Sequence, residues 1–122
     1  MADGATIDAL KRVNLFECLE QDELAGLASV TSLQRFSQNA LVILAEDRGD
    51  SFFVIRSGKV KVSVTGPDGR EIILSILGDG EFFGELSLLD GHPRSADVTT
   101  LERTELLVIR RSDFVHVIHE LS

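Results

Sequence analysis

The residues best suited to chemistry in this sequence lie in one stretch, residues 80–96. Gly84 allows the backbone to approach a ligand closely, where a Cβ atom would interfere. Arg94 offers a bidentate fork for phosphate oxygens, and Ser95 adds a hydroxyl donor beside it. Glu85 is a carboxylate acceptor, which suits sugar hydroxyls rather than phosphate. Together these residue types predict a small cradle for a sugar phosphate.

A short helix is predicted directly after Glu85, formed by Leu86, Ser87, Leu88 and Leu89. The free N–H groups at its start would point at an anion. A structural alternative remains open: Glu85 and Arg94 form an ion pair under a loop and bind nothing. The residue types alone favour neither reading.

The other constellations give little support for catalysis. His116 and His119 lie one helical turn apart, but the sequence places no third metal ligand near them. No Ser or Cys nucleophile stands in a recognisable local context with a base. Gly78, Gly80 and Gly84 are spaced two and four apart and so miss the dinucleotide fingerprint. We therefore predict a protein that is not an enzyme and holds no metal or prosthetic group.

The surrounding sequence reads as short strands separated by turns. Val60, Val62 and Val64 alternate with polar residues, which predicts a half-buried strand with a wet outer face. The turn at residues 66–69 leads into its hairpin partner at 71–77, where alternation turns Leu74 inward with Val62. Further strand candidates lie at residues 41–44, 52–56, 96–100 and 105–110. The pattern predicts a mainly β fold, either a sandwich, a barrel or a roll.

Helical spacing flanks the predicted strands on both sides. Leu24, Leu27 and Ala28 share one face of an N-terminal helix, and an earlier helix carries Ile7 and Leu10. At the other end Ser112 is predicted as the N-cap of a helix whose apolar face is Phe114, Val117, Ile118 and Leu121. We expect a single domain with helices in 1–30, strands in 31–111 and a helix in 112–122. The last helix meets no Gly or Pro, so we expect it to continue in a parent protein.

The composition argues against two classes of partner, nucleic acids and membranes. The net charge of −8, from 12 Lys plus Arg and 20 Asp plus Glu, argues against gripping a phosphate backbone. No apolar run approaches the ~20 residues of a membrane-spanning helix, and the N-terminus does not read as a signal peptide. The single cysteine, Cys18, fits a reducing compartment. We expect a cytoplasmic protein with no membrane partner.

The residues in 80–96 also carry a family resemblance. The run Phe83-Gly84-Glu85-Leu86-Ser87-Leu88-Leu89, followed by Pro93-Arg94-Ser95-Ala96, closely resembles the phosphate-binding cassette of cyclic nucleotide-binding domains. Three upstream pieces fit as well: Gly49-Asp50, Gly58-Lys59-Val60 and the Pro67-Asp68-Gly69 hairpin. The resemblance covers residues 14–121 and is greatest to bacterial regulators of the cAMP receptor protein (Crp/Fnr) type.

The resemblance implies an eight-stranded, jelly-roll-like β-roll flanked by helices. It implies that Glu85 holds the ribose 2′-hydroxyl and that Arg94 pairs with the exocyclic phosphate. Val62 and Leu74 would form walls for the sugar and base, with ordinary core packing as the alternative. The expected ligand-binding residues are Gly84, Glu85, Leu86, Ser87, Arg94, Ser95, Ala96, Val62 and Leu74.

The implied function is a non-catalytic sensor of cAMP or cGMP in a cytoplasmic bacterial transcriptional regulator. In this family a long helix after the roll supplies the dimer seam, covers the base and leads to a helix-turn-helix. The sequence stops at Ser122, so we expect DNA contact only through a missing domain. We expect a homodimer in the parent and a weak or absent one here. The alternative is a docking module that keeps the roll and binds no nucleotide.

Overall fold

The computed structural model describes residues 4–11, 16–17, 19–43, 51–84 and 96–121. The described part contains three helices and eight strands: α1 (Gly4–Lys11), α2 (Gln21–Ser29), β1 (Ser32–Phe36), β2 (Leu41–Ile43), β3 (Ser51–Ser57), β4 (Lys59–Thr65), β5 (Glu71–Gly78), β6 (Phe82–Phe83), β7 (Asp97–Thr100), β8 (Thr104–Arg110) and α3 (Arg111–Leu121). The strands form two four-stranded antiparallel sheets. The first sheet has the order β1-β8-β3-β6, and the second has β2-β7-β4-β5. The predicted β-roll is confirmed.

The centre of the first sheet, where β3 pairs with β8, is apolar on both faces. One face joins the helices in an outer cluster: Leu10, Phe16, Leu24, Leu27, Ala28, Phe52, Val54, Leu107 and Ile109. The other face meets the second sheet in an inner cluster: Ile43, Phe53, Ile55, Val60, Phe83, Val98, Leu106 and Val108. Strands buried on both faces read as continuous apolar runs, which is why β3 and β8 are visible in the sequence.

The helices cover the outer face of the first sheet. The buried face predicted for α2, Leu24 with Leu27 and Ala28, is confirmed. The ring of Phe16 lies edge-on to Phe52, with centroids 5.4 Å apart, and joins the N-terminal segment to β3. The prediction that Ser112 caps the last helix is wrong. That helix already begins at Arg111, directly after β8, so Ser112 lies inside its first turn.

The second sheet contains the predicted hairpin of β4 and β5. Gly66 and Gly69 close the turn: Gly66 accepts a hydrogen bond from the Gly69 N–H at 2.9 Å and donates one to the Arg70 carbonyl at 2.8 Å. The ladder beyond the turn is not regular. Ser63 pairs with Ile73 and Val62 pairs with Ser75, so Leu74 is an extra residue without a partner on β4. This β-bulge was not predicted.

Simple alternation gives the correct face for Ser63 of β4 but not its exposure. Ser63 was expected on the wet outer face, yet only 1% of its surface is exposed. The reason is its neighbour on β5, since the Ser63 hydroxyl donates a hydrogen bond of 2.9 Å to the Glu71 carboxylate. The expected solvent contact is therefore replaced by a bond across the hairpin.

Candidate functional site

The strand before the cassette is fixed by two consecutive aromatic residues. Phe83 stacks on Phe53 with ring centroids 4.8 Å apart and planes 11° apart, and it belongs to the inner cluster. Phe82 packs against the outer cluster, and the centroid of its ring lies 5.5 Å from that of Phe52. Neighbouring side chains of a strand point to opposite faces. As a result β6, although only two residues long, is anchored in both clusters.

Gly84 leaves the first sheet directly after this anchor. Its φ of 85° lies in the left-handed region, which residues with a Cβ atom rarely adopt. The positive φ agrees with the choice of a glycine here, and the close approach to a ligand stays a prediction. Since β6 is held at both faces, the position from which the chain enters residues 85–95 is set by the core.

The far end of the cassette is anchored in the second sheet. Ala96 is 9% exposed and directly precedes β7, the strand between β2 and β4. On β7, Val98 pairs with Val62 of β4. Val62 in turn packs against the inner cluster. Of the predicted site residues, Ala96 therefore directly precedes the strand that pairs with β4, and Val62 lies on β4 opposite Val98, two residues after Ala96.

Two acidic side chains that sequence reasoning did not single out shape the loop before β6. The Asp79 carboxylate accepts a hydrogen bond from the Gly58 N–H at 2.8 Å, and the Glu81 carboxylate accepts one from the Gly78 N–H at 3.0 Å. Backbone bonds of 2.8 Å join Gly80 and Glu81 to Ile55 on β3. The Asp79-Gly80 pair was a turn signal in the sequence, but its partner on the β3–β4 turn was not predictable locally.

Leu74, the second predicted wall residue, lies at the bulge. Its side chain is 59% exposed, whereas Val62 is half-buried. The prediction turned Leu74 inward by alternation, and the structure pairs Ser75 with Val62 instead. Alternation therefore no longer determines the side on which Leu74 lies. Its role as a wall stays a prediction.

A carboxylate on the outer face of the hairpin joins the two residues that flank Val62. Glu71 accepts hydrogen bonds from Lys61 Nζ and from Ser63 Oγ, both at 2.9 Å. The Lys61 bond, followed by the Ser63 bond, stabilises the charged carboxylate and lowers the pKa of Glu71 below its ordinary value of 4.5. No sequence signal identified this cluster, because it depends on the register of the bulged ladder.

The centre of the predicted cradle falls outside the described residues. This applies to Glu85, Leu86, Ser87, Arg94 and Ser95. It also applies to the predicted helix at 86–89, to Gly49-Asp50 and to Cys18. The roles predicted for these residues, and the ion-pair alternative for Glu85 and Arg94, stay predictions.

Within the described ranges, His, Cys, Asp and Glu form no group of three that could hold a metal ion. Over the same part of the chain, every helix is too short or too polar to span a bilayer.

Comparison with known proteins agrees with the β-roll described above. The family model of the cyclic nucleotide-binding domain matches residues 33–120. The chain is 34% identical over 104 residues to the CRP-like cAMP-activated global transcriptional regulator of Mycobacterium tuberculosis, covering 85% of this chain and 46% of that protein. It is 34% identical over 119 residues to the cGMP-dependent protein kinase egl-4 of Caenorhabditis briggsae, covering 94% of this chain and 16% of the kinase.

A solved structure shares the architecture. The N-terminal domain of a transcriptional regulator from Streptomyces coelicolor A3(2) superposes with a TM-score of 0.87 at 35% identity, covering 93% of this chain and 79% of that one. The chain belongs to the cyclic nucleotide-binding domain family, as the cassette resemblance predicted. It has homologues among CRP-like transcriptional regulators, and it spans about half the length of the bacterial relative named above.

Proposed function

We propose that this chain is the cyclic nucleotide sensor of a bacterial transcriptional regulator and that it binds cAMP or cGMP without altering it. The observation that carries the proposal is the anchoring of both ends of the cassette. Gly84 follows a strand fixed in both clusters, and Ala96 precedes a strand paired with Val62. The segment that bears Glu85 and Arg94 therefore connects two positions that are anchored in the two sheets.

In the proposed complex each functional group of the ligand meets a matching residue type. The Arg94 guanidinium pairs with the phosphate, and the Glu85 carboxylate accepts a hydrogen bond from a ribose hydroxyl. Amide and hydroxyl donors come from the region of Gly84, Leu86 and Ser95. These roles are carried over from the match to the family's cassette motif.

The wall beside the ligand is proposed to be apolar. Val62 already contacts the inner cluster, so its methyl groups are positioned before a ligand arrives. Leu74 is 59% exposed, and covering such a side chain with the sugar or base would remove apolar surface from water. The names of the relatives include both a cAMP-activated regulator and a cGMP-dependent kinase, so both nucleotides stay candidates.

Signalling would require the rest of the regulator. Nucleotide shifts an equilibrium between two states only by as much as it binds one state better than the other. In the proposal, DNA contact and homodimerisation are supplied by parts of the protein outside this chain, and the chain passes on the state of its site through α3.

Calorimetric titration with cAMP and with cGMP tests the proposal. We expect saturable binding of one or both, and Arg94→Ala should weaken it more than tenfold, because losing a charge-assisted partner costs ~1.5–3 kcal/mol. The matched control is Arg103→Ala, an exposed arginine in the turn between β7 and β8, which should bind like the wild type. Unchanged affinity in Arg94→Ala would overturn the assigned role.

The proposal that the chain leaves the nucleotide unaltered is tested by incubating the chain with each cyclic nucleotide and separating the products by chromatography. We expect the nucleotide to be recovered intact. Turnover to the monophosphate, lost in Arg94→Ala, would contradict a pure sensor.

A docking module that binds no nucleotide is the second candidate. It is favoured by the apolar side chains that β5 exposes at 50–59%: Ile72, Ile73, Leu74 and Ile76. This candidate would be favoured over the sensor if calorimetric titration detected no binding of either nucleotide to a chain that unfolds cooperatively.

A further inference from the structure

The bulge in the β4–β5 ladder divides the hairpin into two halves that are out of phase. In the half near the turn, Ser63 pairs with Ile73 and Val64 with Ile72. In the far half, Val62 pairs with Ser75 and Val60 with Leu77. Leu74, a proposed wall residue, is the extra residue between the halves. Its unpaired position, next to the Val62–Ser75 pair, therefore depends on keeping the halves out of phase.

The far half is held by the core and by the neighbouring loop. Val60 is fully buried, and Asp79 and Glu81 bind the N–H groups of Gly58 and Gly78. The half near the turn is held by the backbone bonds of the turn and by the side chain of Glu71, and its β5 residues, 71–73, are exposed. A shift of this half by one residue would remove the bulge, because Leu74 would then pair with Ser63.

The hydrogen bonds of Glu71 exist only in the observed register. Glu71 pairs with Thr65, so its side chain lies on the same face as Lys61 and Ser63 and bonds both at 2.9 Å. Because successive strand residues alternate between faces, a shift of one residue would turn Glu71 to the opposite face. That shift would break both bonds and leave the Ser63 hydroxyl, which is 1% exposed, without this acceptor.

We propose that Glu71 is a positioning residue of the nucleotide site, whose carboxylate keeps the bulge in place and so keeps Leu74 as the unpaired residue next to the Val62–Ser75 pair. The inference rests on the proposed nucleotide binding. Glu71 does not touch the ligand and acts through the register of β5. Among the described strand residues, the other charged groups on this face are Lys59 and Lys61 of β4, of which Lys61 is its ion-pair partner, and Asp97 of β7, which pairs with Ser63.

The chain offers a matched control on the other sheet. Glu105 of β8 has the same partners in kind: it accepts a hydrogen bond from Arg35 at 2.9 Å and contacts the Ser57 hydroxyl at 3.5 Å. It lies in the first sheet, away from the bulge. Glu105→Ala therefore removes an ion pair of the same length, 2.9 Å, without touching the hairpin.

The binding test compares Glu71→Ala with Glu105→Ala by titration with the nucleotide that the wild type binds. We expect about a fivefold weaker affinity for Glu71→Ala, which corresponds to a competent register populated roughly one-fifth of the time. Glu105→Ala should stay within about twofold of the wild type. Equal affinities for the two variants, or equal losses, would overturn the proposal.

A second pair of variants, on β4, tests whether the Lys61–Glu71 ion pair supports nucleotide binding. Lys61→Met removes one donor to Glu71, and Lys61→Arg keeps a cation with N–H donors. We expect Lys61→Met to bind nucleotide more weakly than the wild type and Lys61→Arg to keep most of the wild-type affinity. The two variants should have similar free energies of unfolding. Equal binding by Met and Arg would contradict a positioning role.

The register itself is read by NMR without any nucleotide. Cross-strand NOEs between Ser63 and Ile73 report the bulged register, and NOEs between Ser63 and Leu74 report the shifted one. We expect the first set in the wild type and in Glu105→Ala, and the second set to appear in Glu71→Ala. Failure of the wild type to bind nucleotide would overturn the proposed function and with it the role of Glu71 in binding. An unshifted register in Glu71→Ala, when the wild type does bind, would overturn this inference alone.

Discussion

Gly58, between β3 and β4, is required by both its conformation and its neighbour. Its φ is 119°, and a Cβ atom built there would overlap Thr104 Oγ1 and lie 2.7 Å from Thr104 Cα. Thr104 cannot withdraw easily, because it is buried and its hydroxyl donates a bond of 2.9 Å to the Glu102 carbonyl. The glycine therefore permits β3, β4 and the β7–β8 turn to meet closely.

We expect Gly58→Ala to lower the free energy of unfolding by about 3 kcal/mol or more, since strain and overlap add. The control is Gly69→Ala, because Gly69 also has a positive φ of 84° but has open space where a Cβ would lie. That control should lose only about 1 kcal/mol from strain. Urea unfolding measures both, and equal losses would contradict the role assigned to Thr104.

The ion pair of Glu71 predicts a dependence of stability on pH. The Lys61 and Ser63 hydrogen bonds lower the folded-state pKa of Glu71 below 4.5. A lowered folded pKa means that the contribution is complete above the unfolded pKa and is lost as the pH falls through the folded pKa. We expect the difference in unfolding free energy between wild type and Glu71→Gln to shrink on acidification from pH 6 to pH 3, measured by urea unfolding at each pH. A difference independent of pH would count against the ion pair.

Among the elements, β6 illustrates how a very short strand positions a site. Phe83 is 6% exposed and stacks on Phe53. We expect Phe83→Ala to cost about 3–5 kcal/mol in unfolding free energy, because a buried ring is replaced by a cavity. Phe83→Leu should cost clearly less. If the alanine variant lost under about 1 kcal/mol by urea unfolding, the anchoring of Gly84 by β6 would need another explanation.

The sequence predicts six of the eight strands in the described part of the chain. Predicted strands at 52–56 and 105–110 lie within β3 and β8, because their apolar runs are unambiguous. Two strands were not individually predicted. β1 is a polar edge strand whose burial does not alternate, and β6 has two residues and therefore no periodicity to detect.

For the candidate site, the sequence identifies motif residues but not the bonds between strands. The need for a glycine at position 84, where φ is positive, and the inward face of Val62 followed from residue type and alternation. Glu71 and Asp79 act on residues 8 to 21 positions away, and such pairs depend on the register. The register contains a bulge at Leu74, which alternation alone does not reveal.

At the scale of the whole molecule, a ligand that binds only the folded chain must stabilise it. At a free concentration 100 times the Kd, mass action adds ~2.7 kcal/mol to the unfolding free energy. We therefore expect cAMP or cGMP to raise the Tm by several degrees, with a smaller rise for Arg94→Ala at the same concentration. The linear 5′-monophosphate is the control ligand. A Tm unmoved by either cyclic nucleotide at millimolar concentration would contradict the sensor.

The exposed aliphatic face of β5 has a consequence for handling the protein. Residues 72–77 contain no charge and no proline, and β5 lies at the edge of its sheet in the described part of the chain. Such edges template self-association, which like charge on the rest of the surface opposes. Because the isoelectric point is about 4.7, we expect the sample to precipitate near that pH and to bind hydrophobic-interaction resin even when fully folded.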